Sequence, residues 1–222
     1  MHILLLGATG PSGLVFLEEA LRAGHEITIY ARSPQKLPED VRNNSQVHVV
    51  QGEFSDMDGV RTALGYGATV LVSFAGPALP NYKGTPITEF YQNLFPLLQT
   101  EGSIKRAMVT STGSYTAPED RFSLKWFFGI LLIRIVGGTT YREINGMSAA
   151  VLAVPTETIE WAMFRLPALS NGEAKPVQTG MIGSGTDGLS LTRRSGALWV
   201  LNEIVEKKWV GKAPAISNPG WL

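Results

Sequence analysis

Three glycines at a spacing of three, in Gly7-Ala8-Thr9-Gly10-Pro11-Ser12-Gly13, constrain this chain more than any other feature. They follow a short apolar run, His2 to Leu6, and precede Leu14, Leu17 and Leu21, which recur at helical spacing with Glu18, Glu19 and Arg22 off the stripe. A strand buried on both faces reads as a continuous apolar run, and a helix packed beside it reads as such a stripe. Pro11 and Ser12 suit the first turn of that helix and Gly24 its end. Glycines at this junction permit a tight turn and let the backbone approach a pyrophosphate, which the free N–H groups of the helix start can hold. Thr9 and Ser12 add hydroxyl donors. An ordinary structural turn is the plain alternative, and the strand–turn–helix context favours the phosphate-binding reading over it.

The same alternation continues along the chain. Strands are expected at 26–31, 47–51, 69–74, 104–110 and 159–165, with a further short one at 177–182. Helices are expected at 56–64 with Asp56 as N-cap, at 85–99 with Pro96 distorting it, at 122–136, at 141–154 and at 192–206 through Leu198, Leu201, Ile204 and Val205. Residues 34–42 read as one short helix with loops, and the chain after Pro167 as mostly irregular. Strands alternating with helices imply an α/β fold: a doubly wound parallel sheet of Rossmann type, in a single domain spanning 1–222. Its ligand belongs beyond the carboxyl ends of the strands. Two segments are left over for a substrate side, an apolar insert at 112–140 and residues 168–190.

Composition narrows the chemistry. With 19 basic and 19 acidic residues the formal charge is +0, so no nucleic acid is expected as a partner. The chain has no cysteine, which removes disulfides, thiol nucleophiles and Cys-ligated metals. His2, His25 and His48 are too few and too clustered near the start for a metal site, so no metal is expected. No basic n-region with a long apolar core opens the chain, and the most apolar stretch, 126–136, falls short of the ~20 residues a membrane helix needs. The chain therefore reads as a soluble, cytoplasmic protein, with a lid or a peripheral membrane contact left open at that stretch.

The residues after each strand carry the rest. A dinucleotide fold reads its ribose about 20 residues past the glycine loop, and Arg32-Ser33 stands there, with Lys36 close behind. A carboxylate at this place suits NAD, whereas Arg pairs with the 2′-phosphate of NADP through two hydrogen bonds. The cofactor expected is NADP, against the plain alternative of a solvated charged turn. Glu53 and Phe54, after the third strand, suit an adenine amino group and its ring. Ala75-Gly76, after the fourth, lies on the path of the ribose and pyrophosphate. Both stretches also read as tight turns.

Together these residues resemble the short-chain dehydrogenase/reductase superfamily. More narrowly they resemble its atypical NAD(P)H-binding branch of biliverdin-IXβ/flavin reductases and NmrA-like proteins. The resemblance spans nearly the whole chain. It rests on the glycine loop, Arg32-Ser33, Gly52-Glu53 with Asp56, Val109-Thr110-Ser111, Arg165-Leu166-Pro167 and Thr192-Arg193-Arg194. It implies that Gly7, Thr9, Gly10, Pro11, Ser12, Gly13, Arg32, Ser33, Lys36, Glu53, Phe54, Ala75, Gly76, Thr110 and Pro167 bind the cofactor, with Pro167 beside the nicotinamide.

Typical members add a serine after the fifth strand and a Tyr-x-x-x-Lys pair, the lysine lowering the tyrosine pKa for proton transfer. Ser111 and Tyr141 fit as catalytic residues, but the fourth residue after Tyr141 is Asn145, which carries no charge. Arg142 could supply positive charge, or the chain works as the flavin reductases do, without the Tyr–Lys pair and with Ser111 orienting nicotinamide or substrate. The aromatic and aliphatic insert reads as a lid over an apolar or aromatic substrate, or as an extra core helix or dimer face. Three readings follow. The first is an NADP(H)-dependent reductase of a small carbonyl, enone, quinone or flavin-like acceptor. The others are a non-redox isomerase, cyclase or dehydratase of the same fold, and a non-catalytic NADP-binding regulator of NmrA type. A homodimer is left open by the insert and by Trp221-Leu222.

Overall fold

The computed structural model describes residues 1–77 and 83–220. The opening strand β1 (His2–Leu6) is buried along Ile3–Leu6 because both of its faces are covered. Leu4 and Leu6 enter one core, and Ile3 and Leu5 the other. The chain then forms α1 (Pro11–Arg22), β2 (Glu26–Ala31), a 3-10 turn (Pro34–Lys36), α2 (Glu39–Arg42), β3 (Val47–Gln51), α3 (Met57–Leu64) and β4 (Val70–Ser73). The second half runs α4 (Pro86–Glu101), β5 (Arg106–Thr112), α5 (Leu124–Val136), α6 (Gly138–Leu152), β6 (Glu160–Leu166), β7 (Ala168–Ser170), β8 (Gln178–Gly180), β9 (Ser190–Thr192), α7 (Arg193–Glu206) and β10 (Ala215–Ser217).

The main sheet has the order β3-β2-β1-β4-β5-β6-β10-β8. Every neighbouring pair is parallel except β10 with β8. The order reverses between β1 and β4, and in open α/β sheets ligands sit at that reversal, beyond the strands' carboxyl ends. One core lies under α3, α4 and α6, the other under α1 and α7. This is the doubly wound, Rossmann-type α/β architecture expected from the alternation.

Local details sharpen several expectations. Asp56 does cap α3, its Oδ1 accepting from Gly59 N at 2.8 Å. Residues 34–42 divide into a 3-10 turn and a four-residue helix rather than forming one helix, because Pro38 stands between them. The sixth helix starts at Gly138, so Tyr141 lies in its first turn and not at its first residue. The fifth strand runs on to Thr112, which places Ser111 inside it. After Pro167 the chain is not merely irregular: β7 and β9 form a two-stranded parallel sheet, and β8 and β10 extend the main sheet. β8 lies within the strand expected at 177–182; β7, β9 and β10, at three residues each, are too short for a periodic signal.

The last helix is less amphipathic than its sequence pattern implies. Val205 is 69% exposed, and Glu203 occupies the buried side, where its Oε1 accepts from Arg106 Nη2 at 2.8 Å. Among the described residues no helix is long and apolar enough to cross a membrane. Trp221-Leu222, one of the places that left a homodimer open, lies outside the described residues.

Candidate functional site

The turn after β1 shows why its glycines are glycines. Gly7 has φ +77°, and a Cβ there would stand 2.6 Å from Phe74 C and 2.7 Å from Ala75 N. A Cβ on Gly13 would stand 2.2 Å from Gly7 O. The turn is thus pressed against the loop after β4 on one side and against the start of α1 on the other. Gly10 is the N-cap, Pro11 follows, and no described side chain caps the helix. The free N–H groups of its first turn face outward with the positive end of the helix dipole, the arrangement that receives phosphate.

This turn forms one wall of a cleft of about 710 Å³. Ten of the residues expected at a cofactor line it: Gly7, Thr9, Gly10, Arg32, Ser33, Lys36, Glu53, Phe54, Ala75 and Gly76. Arg32 and Lys36 are exposed, and among the described residues neither has an ion-pair partner. Their charge is therefore available to a ligand anion. Pro11, Ser12, Gly13, Thr110 and Pro167 do not line this cleft. The first three sit in the helix start behind it, and the last two stand at the far ends of β5 and β6.

Several lining residues escape a reading of the sequence. The α4 wall contributes Pro86, Ile87, Glu89, Phe90 and Asn93, which come to the cleft only through helix packing. Phe90 lies 4.8 Å from Phe54, ring centre to ring centre, and 6.4 Å from Tyr30, stacked. Gly52 makes room for the Tyr30 hydroxyl, since a Cβ there would meet it at 2.2 Å. That hydroxyl lies 2.8 Å from Glu53 O and 2.9 Å from Asp56 O and donates to this pair. Burial, with the nearby Asp56 and Glu53 charges, pushes its pKa up to about 12, so it stays a donor and pins the loop after β3. On the other side the buried Tyr91 and Ser73 hydroxyls meet at 2.6 Å, and Ser73 Oγ also accepts from Ala75 N at 3.2 Å. The loop carrying Ala75-Gly76 is set by this pair.

The α4 N-terminus is capped by another helix. Glu143, fully buried on α6, accepts from Ile87 N at 2.7 Å, Thr88 N at 3.3 Å and Thr88 Oγ1 at 2.6 Å. A carboxylate suits the positive end of a helix dipole, and this one fixes the wall that Ile87 gives to the cleft.

At the end of β5, Ser111 is 5% exposed, and its Oγ lies 3.0 Å from Ser148 Oγ on α6. Ser148 Oγ is in turn 2.8 Å from Ile144 O. A carbonyl only accepts, so the single Ser148 hydrogen goes to Ile144 and the Ser111 hydrogen goes to Ser148. Ser111 is left with acceptor lone pairs alone. Tyr141 precedes Ser148 by two helical turns, about 10 Å along the axis, and no hydrogen bond joins it to Ser111 among the described residues. Asn145 spends its amide donors on Tyr141 O at 2.8 Å and Ser114 O at 3.3 Å. The cation beside Tyr141 is Arg134, whose guanidinium carbon lies 5.6 Å from the ring centre. Arg142 is exposed and, among the described residues, its hydrogen bond is to Thr139 Oγ1, at 3.5 Å.

The loops on the substrate side hang on one buried ion pair. Arg165, with no exposure, donates from Nη1 to Asp120 Oδ2 at 2.5 Å and to Tyr115 O at 3.1 Å, and from Nη2 to Asp120 Oδ1 at 2.7 Å. Asp120 also accepts from Ala117 N and Ile182 N. Burial pushes the Tyr115 phenol up. The insert is anchored by Trp126, whose Nε1 donates to Asp187 O at 2.9 Å, and its ring fills the space a Cβ on Gly113 would take. Gly113 is thus a packing position. Asp187, 1% exposed, is held below the usual carboxylate range: burial opposes its charge, but hydrogen bonds such as that from Gly183 N and the Lys125 ammonium outweigh it.

The sheet order, the glycine turn and the cleft define a Rossmann-type protein with a nucleotide-sized site. The chain belongs to the NAD(P)H-binding family, whose model matches residues 7–207. Its fold is that of a short-chain dehydrogenase/reductase from Veillonella parvula, at TM-score 0.80 and 17% identity over 99% of this chain and 94% of that one. Another structure of that description and source, in complex with NADP, matches at TM-score 0.78 and 18% identity, over 99% and 95%. An anaerobillin reductase from Escherichia coli O157:H7 matches at TM-score 0.74 and 16% identity, over 100% and 99%. At these identities the likeness to the solved structures is one of fold.

Proposed function

We propose that the chain is an NADP(H)-dependent reductase of a small apolar or aromatic acceptor. The observation that carries the cofactor choice is the pair Arg32 and Lys36, exposed at the end of β2, lining the cleft and free of any acidic partner among the described residues. The residues present fit a dinucleotide. The turn at Gly7 and Gly13 leaves no room for side chains, and the uncapped first turn of α1 offers N–H groups to a pyrophosphate. Glu53 and Phe54 suit the adenine edge and face, and Thr110, Ser111 and Pro167 suit the nicotinamide end.

When bound, the reduced nicotinamide supplies a hydride. Ser111 offers an acceptor, which suits an amide N–H rather than a substrate carbonyl. It acts as a positioning residue for the cofactor end. Tyr141 has no lysine beside it and faces Arg134 instead. It is the nearest ionisable hydroxyl on α6 for delivering a proton, with water as the other source. The 112–140 insert and the 168–190 segment, joined through Asp120, Arg165 and Asp187, form the substrate side.

The test is binding followed by turnover. Arg32→Asp is expected to weaken NADPH about 10- to 100-fold, the value of a charge-assisted pair, and to change NADH little. Equal effects on both overturn the NADP assignment. Turnover is followed by loss of reduced-nicotinamide absorbance with quinones, flavins and aldehydes. Tight NADPH binding without turnover on any of them favours the regulator reading, which the engaged Ser111 hydrogen and the missing lysine support.

A further inference from the structure

The helix α5 carries an apolar face that the described residues leave exposed. Leu124, Phe127, Phe128 and Leu131 stand at i, i+3, i+4 and i+7, a single stripe, and all are exposed, Leu124 at 60% and Phe128 at 61%. Phe122, just before the helix, is 77% exposed and lies 6.1 Å from the Phe127 ring. The inner side of the helix is already satisfied by Trp126 and Ile130, which pack with Ile182, Leu189 and Ala215. The Trp126 and Lys125 contacts to Asp187 hold it in place. The stripe is therefore presented outward by an anchored helix, away from the core.

Charge decides what covers it. From Arg121 through Arg142 the sequence holds four basic residues, Arg121, Lys125, Arg134 and Arg142, and no acidic one. Arg121, Arg134 and Arg142 are exposed. Across a two-fold axis this face would meet itself and bring like charges together, a costly arrangement for a second copy of the chain. Exposed aromatic and aliphatic residues in a stretch whose charged residues are all basic are instead the complement of an anionic bilayer surface. At 13 residues, about 20 Å, the helix is too short to cross a bilayer core of about 30 Å. It lies flat.

We propose that the α5 face docks this protein on an anionic lipid bilayer surface, with Phe122, Leu124, Phe127, Phe128 and Leu131 inserted at the interface. The proposal uses none of the cleft residues; it concerns the outer face of the insert that the reductase reading places on the substrate side.

The test is co-sedimentation of the full chain with phosphatidylcholine vesicles and with mixed phosphatidylcholine–phosphatidylglycerol vesicles. The expected result is partition to the mixed vesicles only, weakened by added salt. Phe127→Ser with Phe128→Ser removes exposed rings and is expected to cut partition roughly tenfold or more. Arg121→Glu with Arg142→Glu is expected to do the same through charge alone. Unchanged far-UV circular dichroism and melting show that each variant folds. No partition of the wild type to anionic vesicles, or partition of either variant undiminished from the wild type, overturns the proposal. So does a wild-type dimer in sedimentation velocity that the double Phe variant dissociates, because a second copy then covers the face.

Discussion

Asp120→Asn is a substitution of the same shape that the structure predicts to be severe. Each carboxylate oxygen of Asp120 accepts twice: Oδ1 from Arg165 Nη2 and Ile182 N, Oδ2 from Arg165 Nη1 and Ala117 N. Whichever oxygen becomes an amide nitrogen, one Arg165 N–H and one backbone N–H then face a donor. The charge opposite a fully buried guanidinium is lost as well, and Arg165 Nε already has no hydrogen-bond partner among the described residues. Removing one member of a buried pair typically costs about 3–5 kcal/mol, a large part of the 5–15 kcal/mol that a domain has in total. At roughly 2–4 °C per kcal/mol for a domain of this size, the melting temperature should fall by about 6–20 °C. Urea unfolding followed by circular dichroism measures the loss, and Asp120→Asn combined with Arg165→Met should recover part of it by removing the stranded charge. A loss below about 1 kcal/mol, the scale of a surface ion pair, would falsify the view that this pair ties the 115–120 and 181–182 loops to β6.

Four further outcomes follow from other parts of the molecule. Gly13→Ala places a Cβ 2.2 Å from Gly7 O, a backbone atom that cannot step aside; a stability loss of about 1–3 kcal/mol or more is expected in chemical denaturation, and wild-type stability would show that the turn is looser than it looks. Glu143→Gln leaves one acceptor where two served Ile87 N, Thr88 N and Thr88 Oγ1, and should cost about 1–3 kcal/mol in a melting experiment. Ser111→Ala should raise KM for NADPH while leaving kcat nearly unchanged; a fall in kcat alone would make Ser111 a proton donor instead. His2 and His25 are held below their usual 6.5, by burial first in each case. The unfolded chain therefore takes up protons before the folded one, so this contribution is complete above pH 6.5 and lost as pH falls toward the lowered folded values. A pH series of melting temperatures should decline below that point, less so in His2→Gln.

The parts of the site legible in the sequence are those carried by a single strand end and the turn after it. Gly7 and Gly10, Arg32 and Lys36, Glu53 and Phe54, and Ala75-Gly76 belong to four separate strand–turn units, and the parallel sheet brings all four to one rim. Period and punctuation suffice for this because strands of one direction end on one side. The α4 wall was not legible. Phe90 and Asn93 reach the cleft because the Glu143 carboxylate, 56 residues from Ile87 in sequence, caps that helix. The short strands β7, β9 and β10 were not legible either, because three residues hold no period, whereas β8 lies within the strand expected at 177–182.

Local sequence by itself thus determined the α/β alternation, the glycine turn and the presence of cations at the end of β2, since each follows from steric and periodic rules acting over a few residues. Only the tertiary structure decided the rest. It spent the Ser111 hydrogen on Ser148, set Arg134 rather than Arg142 over Tyr141, buried Arg165 against Asp120, and turned the α5 stripe outward. These are contacts between groups far apart in the chain. Their energies depend on distances and burial that arise only when the two faces of the sheet are covered.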